Sequence, residues 1–348
     1  MDHRLLFRVD AGTGIGLGHL QRCLSLASAL RAEGAECIFL TGAESSVLQK
    51  VTDAGFAAYP MLDGTPGGLE DLSQVIDLAR SKGCRTVVVD SYRTDDGFQC
   101  DLMEAGLFVA AVDDLGRRAC CHIVMDSSIE AAAVPRPPDS GETRFLLGPQ
   151  YAALREEFWD LPTRATRSRV KEVLVTMGGA DGAGLTPLVI DVLDSLEGDF
   201  AVTAIIGPFF KDSGTIEAAA ARSTRGVRLV DSPDSVRDLM LEADVVVSAA
   251  GQTLYELAAT GTPTIAVKVA ENQSRNIRSF ADRGVVVPVP FETAEQLRES
   301  LSGALRQVLS DIELRGRMSE AGRRLVDGKG ARGCAGALLG ADTVLSGA

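Results

Sequence analysis

Short apolar runs alternate with longer amphipathic stretches along the first half of the chain. The runs are LLFRVD (5–10), CIFL (37–40), TVVVD (86–90) and LFVAAVDD (107–114), and helical spacing fills 19–33, 44–54 and 96–105. Strands rich in branched apolar residues, each followed by a helix, predict a parallel sheet covered on both faces. Three of these strands end in acids. Asp10, Asp90, Asp113 and Asp114 are therefore expected near the carboxyl edge of the sheet, where open α/β folds bind ligands.

A proline-rich stretch, AAAVPRPPDSG, and a polar, mostly basic one, DLPTRATRSR (160–169), interrupt this pattern, and the second is the expected linker. From Val170 the alternation restarts with EVLVTMGGAD, a helix near 184–197, AVTAIIG, VRLVDSPD, ADVVVSAAG, TPTIAVKVA and GVVVPVP, and closes on helices. The expected architecture is α/β, with two Rossmann-like, doubly wound domains facing across a cleft, the arrangement called GT-B. Residues 1–160 are expected to form the first domain, 170–325 the second, and 326–348 a C-terminal helix.

The totals narrow the function. A chain of 348 residues, 45% hydrophobic and 24% charged, suits two globular domains of roughly 150 residues. Thirty-five basic against 48 acidic side chains leave a net charge of -13, which repels polyanions and argues against nucleic-acid or anionic-membrane partners. Any phosphate must be held locally, by backbone amides. Seven scattered cysteines, an odd number with no CxxC pair, read as reduced thiols of a cytoplasmic protein. The opening MDHRLLFRVD is too short and ends too acidic for a signal segment, and no run approaches the ~18 uncharged residues of a membrane helix.

The stretch GTGIGLGHLQRC (12–23) has the strand, loop and helix context of a dinucleotide fingerprint, but its register fails: the third-glycine positions hold Leu17 and His19. No lysine follows, so it is not a Walker loop. Glycines such as Gly16 and Gly18 let backbone approach a ligand closely. A histidine in the first helical turn, facing the positive end of the dipole, suits a neutral general base. His3 and His122 read as structural.

Two loops of the second half repeat the theme: TMGGADG, with Gly178 and Gly179, and SAAGQTLYELAATGTP, with Gly251, Gln252 and Thr253 at a helix start. Amides there suit a diphosphate, and Glu256 one turn later suits ribose hydroxyls. Glu271, Asn272 and Gln273 form a cluster of sugar-type hydrogen-bond partners.

Taken in order, RVDAGTGIGLGHLQRCLSLA, VVVDSY, AVDDLGRR, LLGPQYAALREEF, VTMGGAD and SAAGQTLYELAATGTPTIAV followed by ENQ resemble the UDP-2,4-diacetamido-2,4,6-trideoxy-β-L-altropyranose hydrolases of pseudaminic acid synthesis. The second half more distantly resembles the N-acetylglucosaminyltransferase of peptidoglycan precursor synthesis. The resemblance implies a GT-B fold and C1–O hydrolysis with inversion, without metal or cofactor. It also implies His19 as catalytic histidine, with Tyr92 and Asn272 at the family's tyrosine and asparagine. The chain departs from the family at Gln21, at Gly182 and Ala183, and in DSSIE (126–130), positions that bear on the sugar more than on the fold.

The expected reaction uses His19 as base, with Asp10 or Asp113 orienting it or the sugar, and Asp114 beside the sugar. A GT-B glycosyltransferase with a small soluble acceptor shares every nucleotide residue. A non-catalytic nucleotide-sugar sensor is the third alternative.

Overall fold

The computed structural model describes residues 3–345 except 13, 14, 16, 63, 137–142, 211 and 270–272. The chain divides into two compact units, 1–159 with 328–348, and 160–327.

The first unit runs β1 (Arg4–Val9), α1 (Gly18–Ala32), β2 (Glu36–Thr41), α2 (Ser45–Asp53), β3 (Ala57–Pro60), α3 (Leu69–Lys82), β4 (Thr86–Asp90), α4 (Asp96–Glu104), β5 (Phe108–Val112), β6 (Ile123–Asp126) and β7 (Arg144–Leu147). Its seven strands are parallel and lie in the order β3-β2-β1-β4-β5-β6-β7. Alternation along each strand sends side chains to two cores. Phe7, Phe39, Val88 and Ala110 pack beneath α1, while Leu6, Val87, Val89 and Val109 pack beneath α3 and α4. The strand β3 has no apolar run to announce it: AAYP is a half-buried edge strand that ends in proline.

The second unit runs β8 (Glu172–Thr176), α5 (Thr186–Asp194), β9 (Ala201–Ile206), α6 (Ser213–Arg222), β10 (Arg228–Asp231), α7 (Arg237–Glu242), β11 (Val245–Ala249), α8 (Thr253–Thr260), β12 (Thr264–Val267), α9 (Ser274–Ala281), β13 (Val286–Val289), α10 (Ala294–Ser310) and α11 (Ile312–Leu325). Its six strands are also parallel, in the order β10-β9-β8-β11-β12-β13.

The last helix, α12 (Gly330–Leu345), belongs to the first unit. Ala331, Cys334, Ala335 and Leu338 enter the core beneath α1. Small residues allow this close seat: a Cβ on Gly330 would stand 2.3 Å from the Ala152 carbonyl oxygen.

In both sheets the chain order reverses once, between β1 and β4 in the first and between β8 and β11 in the second. Loops at such a switch point splay apart and leave a crevice at the carboxyl edge. The glycine loop before His19 and the residues after Asp90 flank the first reversal. The loops carrying Gly178 and Gly251 flank the second.

The cysteine reading needs correction. Cys100 on α4 and Cys120 in the loop after β5 form a disulfide, with Cα atoms 5.2 Å apart. The link arises because no helix separates β5 from β6, so the connecting loop lies along α4, where the Cys120 amide also donates to Gln99 Oε1. The other five cysteines are buried. No helix among the described residues is long and apolar enough to cross a membrane.

Candidate active site

The helix α1 starts directly after the glycine loop, and its second residue is His19. Leu20, Cys23, Leu24 and Ala27 bury the helix against the sheet. Three-residue spacing puts His19 and Arg22 on one face. Beneath that face lies the end of β4. Val88 points toward α1, so two residues on Asp90 does too, and it is fully buried.

His19 Nδ1 stands 2.6 Å from Asp90 Oδ1. A carboxylate only accepts, so the ring proton belongs on Nδ1 and the Nε2 lone pair is left to the outer side of the ring. Arg22 grips the same carboxylate as a fork, Nε to Oδ2 and Nη2 to Oδ1, both at 2.6 Å. The Cys23 thiol donates to Oδ2 at 3.3 Å. Burial alone would raise the Asp90 carboxyl. The guanidinium and the His19 hydrogen bond outweigh it and bring the group down to about 2. Burial and the Asp90 charge push the Cys23 thiol well up, so it stays protonated as that donor.

The third arm of Arg22, Nη1, reaches Asp114 Oδ2 at 2.9 Å. The Tyr92 hydroxyl donates to Asp114 Oδ1 and Oδ2 at 2.8 and 2.9 Å. Tyr92 is 47% exposed, and its ring meets His19 edge to face at 4.5 Å between centroids. Burial and the Asp114 charge raise the Tyr92 hydroxyl, which keeps it a donor. His19, Tyr92 and Asp114 thus come together as one cluster, joined by two residues not assigned to the site from sequence, Arg22 and Asp90. The His19–Arg22 spacing and the acid closing TVVVD were the signals available.

Asp10 and Asp113 do not join this cluster. Asp10 is held by Arg8 Nη1 at 2.6 Å, Ser91 Oγ at 2.6 Å and Arg93 Nη2 at 2.8 Å. Burial opposes its charge, but these donors and cations lower its carboxyl. Asp113 accepts from Arg117 N and Nε, both at 2.8 Å, and from Arg136 Nη1 at 3.1 Å. Both carboxylates brace loops at the sheet edge. The carboxylate that meets His19 is that of Asp90, beneath the first turn of α1. His122 is structural: its Nδ1 accepts the Val109 amide at 3.0 Å.

Gly18 opens α1, and a Cβ there would meet nothing within 4 Å. Gly16 lies outside the described residues, as do Glu271 and Asn272.

In the second unit the loop after β8 turns at Gly178 with φ 76°, a left-handed conformation that favours glycine. Asp181 caps the following helix, accepting the Leu185 and Thr186 amides at 2.9 Å each. The Phe209 amide donates to the Gly179 carbonyl at 2.9 Å. Gly207 lies so close that a Cβ would stand 2.5 Å from both the Gly178 and Gly179 carbonyl oxygens. After β11, Gly251 leads into α8 with open space around its missing Cβ, and the Gln252 side chain does not cap the helix start. Glu256, one turn in, is buried. Gln273 Oε1 accepts the Val269 amide at 3.0 Å, so that oxygen closes its own loop.

Comparison with known proteins agrees with this layout. Residues 173–328 match the glycosyltransferase family 28 C-terminal domain. An uncharacterized protein of Methanocaldococcus jannaschii is 23% identical over 275 residues, 76% of this chain and 55% of that protein, so the match spans just over half the relative's length. The UDP-2,4-diacetamido-2,4,6-trideoxy-beta-L-altropyranose hydrolase of Campylobacter jejuni is 23% identical over 292 residues, 83% of this chain and 100% of that protein. The crystal structure of MurG from Acinetobacter baumannii is 16% identical and superposes with a TM-score of 0.70 over 95% of this chain and 98% of that one. The fold is therefore the GT-B fold, built of two Rossmann-like parallel-sheet units, as in solved glycosyltransferases.

Proposed function

We propose that the protein is a nucleotide-sugar hydrolase that cleaves the C1–O bond of a UDP-linked diacetamido-trideoxy sugar with inversion and releases UDP and free sugar. The observation that carries this reading is the 2.6 Å contact of His19 Nδ1 with Asp90 Oδ1 at the first sheet's switch point. It supports a ring whose Nε2 takes a proton from water while the water oxygen bonds to C1 opposite the leaving group. The C1–O bond breaks, and its electron pair goes to the β-phosphate oxygen of UDP. Asp90 stabilises the imidazolium so formed, in the manner of a histidine–carboxylate pair.

In this reading the amides around Gly251, Gln252 and Thr253, with the Gly178–Gly179 loop, meet the diphosphate charge. A leaving group whose charge is met in this way needs no general acid. Glu256 accepts from ribose hydroxyls. Tyr92 and Asp114 flank the sugar beside His19, Gly16 and Gly18 give it clearance, and Glu271, Asn272 and Gln273 supply further polar partners. The likeness to the Campylobacter jejuni hydrolase, which runs the full length of that protein, supports water as the acceptor.

A second reading has its own support. The match of 173–328 to a glycosyltransferase domain favours transfer to a small soluble acceptor by the same base. The two readings separate in one assay. UDP-sugars are incubated without acceptor, UDP is quantified, and the product anomer is read by NMR. The hydrolase reading expects UDP and the inverted free sugar. UDP release only after an acceptor is added supports the transferase. UDP-sugar bound but unchanged on long incubation contradicts both and leaves a binding protein.

A further inference from the structure

The guanidinium of Arg22 occupies a position that the reaction does not by itself require. It forks onto Asp90 through Nε and Nη2 and reaches Asp114 through Nη1. Asp114 in turn holds the Tyr92 hydroxyl, and Tyr92 packs its ring against His19. The circuit His19, Asp90, Arg22, Asp114, Tyr92 closes on itself, with members from α1, the end of β4 and the loop after β5. Among the described residues, Arg22 is the one that hydrogen-bonds both carboxylates. Its side chain is 14% exposed, and Nη2 comes within 3.0 Å of His19 Nδ1.

We propose that Arg22 is a positioning residue: it aims Asp90 at His19, ties that pair to Tyr92, and holds the imidazole ready to accept a proton. A buried carboxylate with a histidine as its principal partner favours the charged form of that histidine, and an imidazolium has no lone pair with which to take a proton. The guanidinium fork answers the Asp90 charge through both of its oxygens, while Oδ1 also meets His19 Nδ1. With His19 neutral the circuit carries two carboxylates and one guanidinium. Proton capture during the reaction brings it to neutrality, so charge falls in the direction of catalysis. The fork also engages both Asp90 oxygens, leaving one orientation of that carboxylate. A lysine has charge but no fork and cannot reach Asp90 and Asp114 in the same way.

This inference rests on the reading of His19 as the base, and its test keeps the two apart. The whole protein is labelled with nitrogen-15 at histidine, and ring nitrogen shifts are recorded for the unaltered chain, Arg22→Gln and Arg22→Lys. The His19 signals are assigned by their loss in His19→Asn. Circular dichroism and an unshifted melting transition confirm that each variant is folded. Turnover of the UDP-sugar is measured in the same samples with and without added guanidinium. In the unaltered protein the His19 ring shows a single Nδ1–H tautomer at neutral pH. In Arg22→Gln that signature gives way to a ring carrying protons on both nitrogens. kcat falls about 100-fold with KM within about threefold, and guanidinium returns part of the loss. Arg22→Lys falls between the two. The acid limb of the kcat/KM profile moves to higher pH in Arg22→Gln, because Asp90, Asp114 and the Tyr92 hydroxyl then face the ring without the cation. An Arg22→Gln ring with the unaltered tautomer overturns the proposal, whatever the turnover. A changed ring in a protein that turns over no UDP-sugar in any form sustains the role of Arg22 and overturns His19 as the base instead.

Discussion

His19 Nδ1 and Asp90 Oδ1 lie 2.6 Å apart, the histidine on the first turn of α1 and the aspartate 71 residues later at the end of β4. The pairing depends on Asp90 only accepting. Asn in its place offers a donor and an acceptor of similar shape, so the ring can take the opposite tautomer with its proton on Nε2. Asp90→Asn is expected to bind UDP as the unaltered protein does and to lose about 100- to 10,000-fold in kcat. Steady-state kinetics on the two proteins checks it.

The same carboxylate ties stability to pH. Its folded-state value, about 2, lies below the ordinary 3.8. Stability from this group is therefore complete above the ordinary value and is lost as pH falls through the folded one. The difference corresponds to about 2 kcal/mol. Urea unfolding midpoints of the unaltered protein are expected to decline from about pH 5 downward. Asp90→Asn lacks this component of the decline, and the two sets of midpoints converge at the acid end.

The Gly178–Gly179 turn of the second unit depends on Gly207 having no side chain. An added Cβ would meet two backbone carbonyl oxygens at 2.5 Å, and neither is the end of a flexible chain that could swing away. Gly207→Ala must push the Gly178–Gly179 turn outward. UDP affinity measured by calorimetry is expected to fall about tenfold, or about 1.4 kcal/mol, with the melting transition retained.

The Cys100–Cys120 disulfide joins residues 20 apart and pins the loop that begins at Asp113 and Asp114. Closing a loop of this length contributes about 3 kcal/mol. Cys120→Ser is expected to melt several degrees lower in a calorimetric scan, and dithiothreitol to lower the unaltered protein to the same temperature. A variant insensitive to the reductant and an unaltered protein that shifts with it form the expected pair of results.

The repeated strand and helix periods were legible along the chain because parallel strands buried on both faces read as continuous apolar runs. The edge strand AAYP escaped because it is half-buried and has no such run. The return of α12 to the first unit escaped because its alanines and glycines pack anywhere small residues are needed. Local chemistry at the glycine loop pointed to His19, and Tyr92 and Asp114 came through resemblance and strand ends. The strand end placed Asp90 at the sheet edge too, but its pairing with Arg22 was not legible, since it joins residues 68 apart that the sheet order brings together. Proximity to the strand ends alone made Asp10 and Asp113 look equivalent to Asp90. Side-chain alternation and the arginines each one meets set them apart. The disulfide was hidden by an odd cysteine count, which names no pair.

The central claim is that His19 is the base for C1–O cleavage of a UDP-sugar. The most direct measurement compares turnover by the unaltered protein and by His19→Asn on the UDP-sugar found in the acceptor-free screen, with UDP binding verified in both. His19→Asn is expected to bind UDP normally and to lose at least about 100-fold in kcat. Turnover near that of the unaltered protein would contradict it.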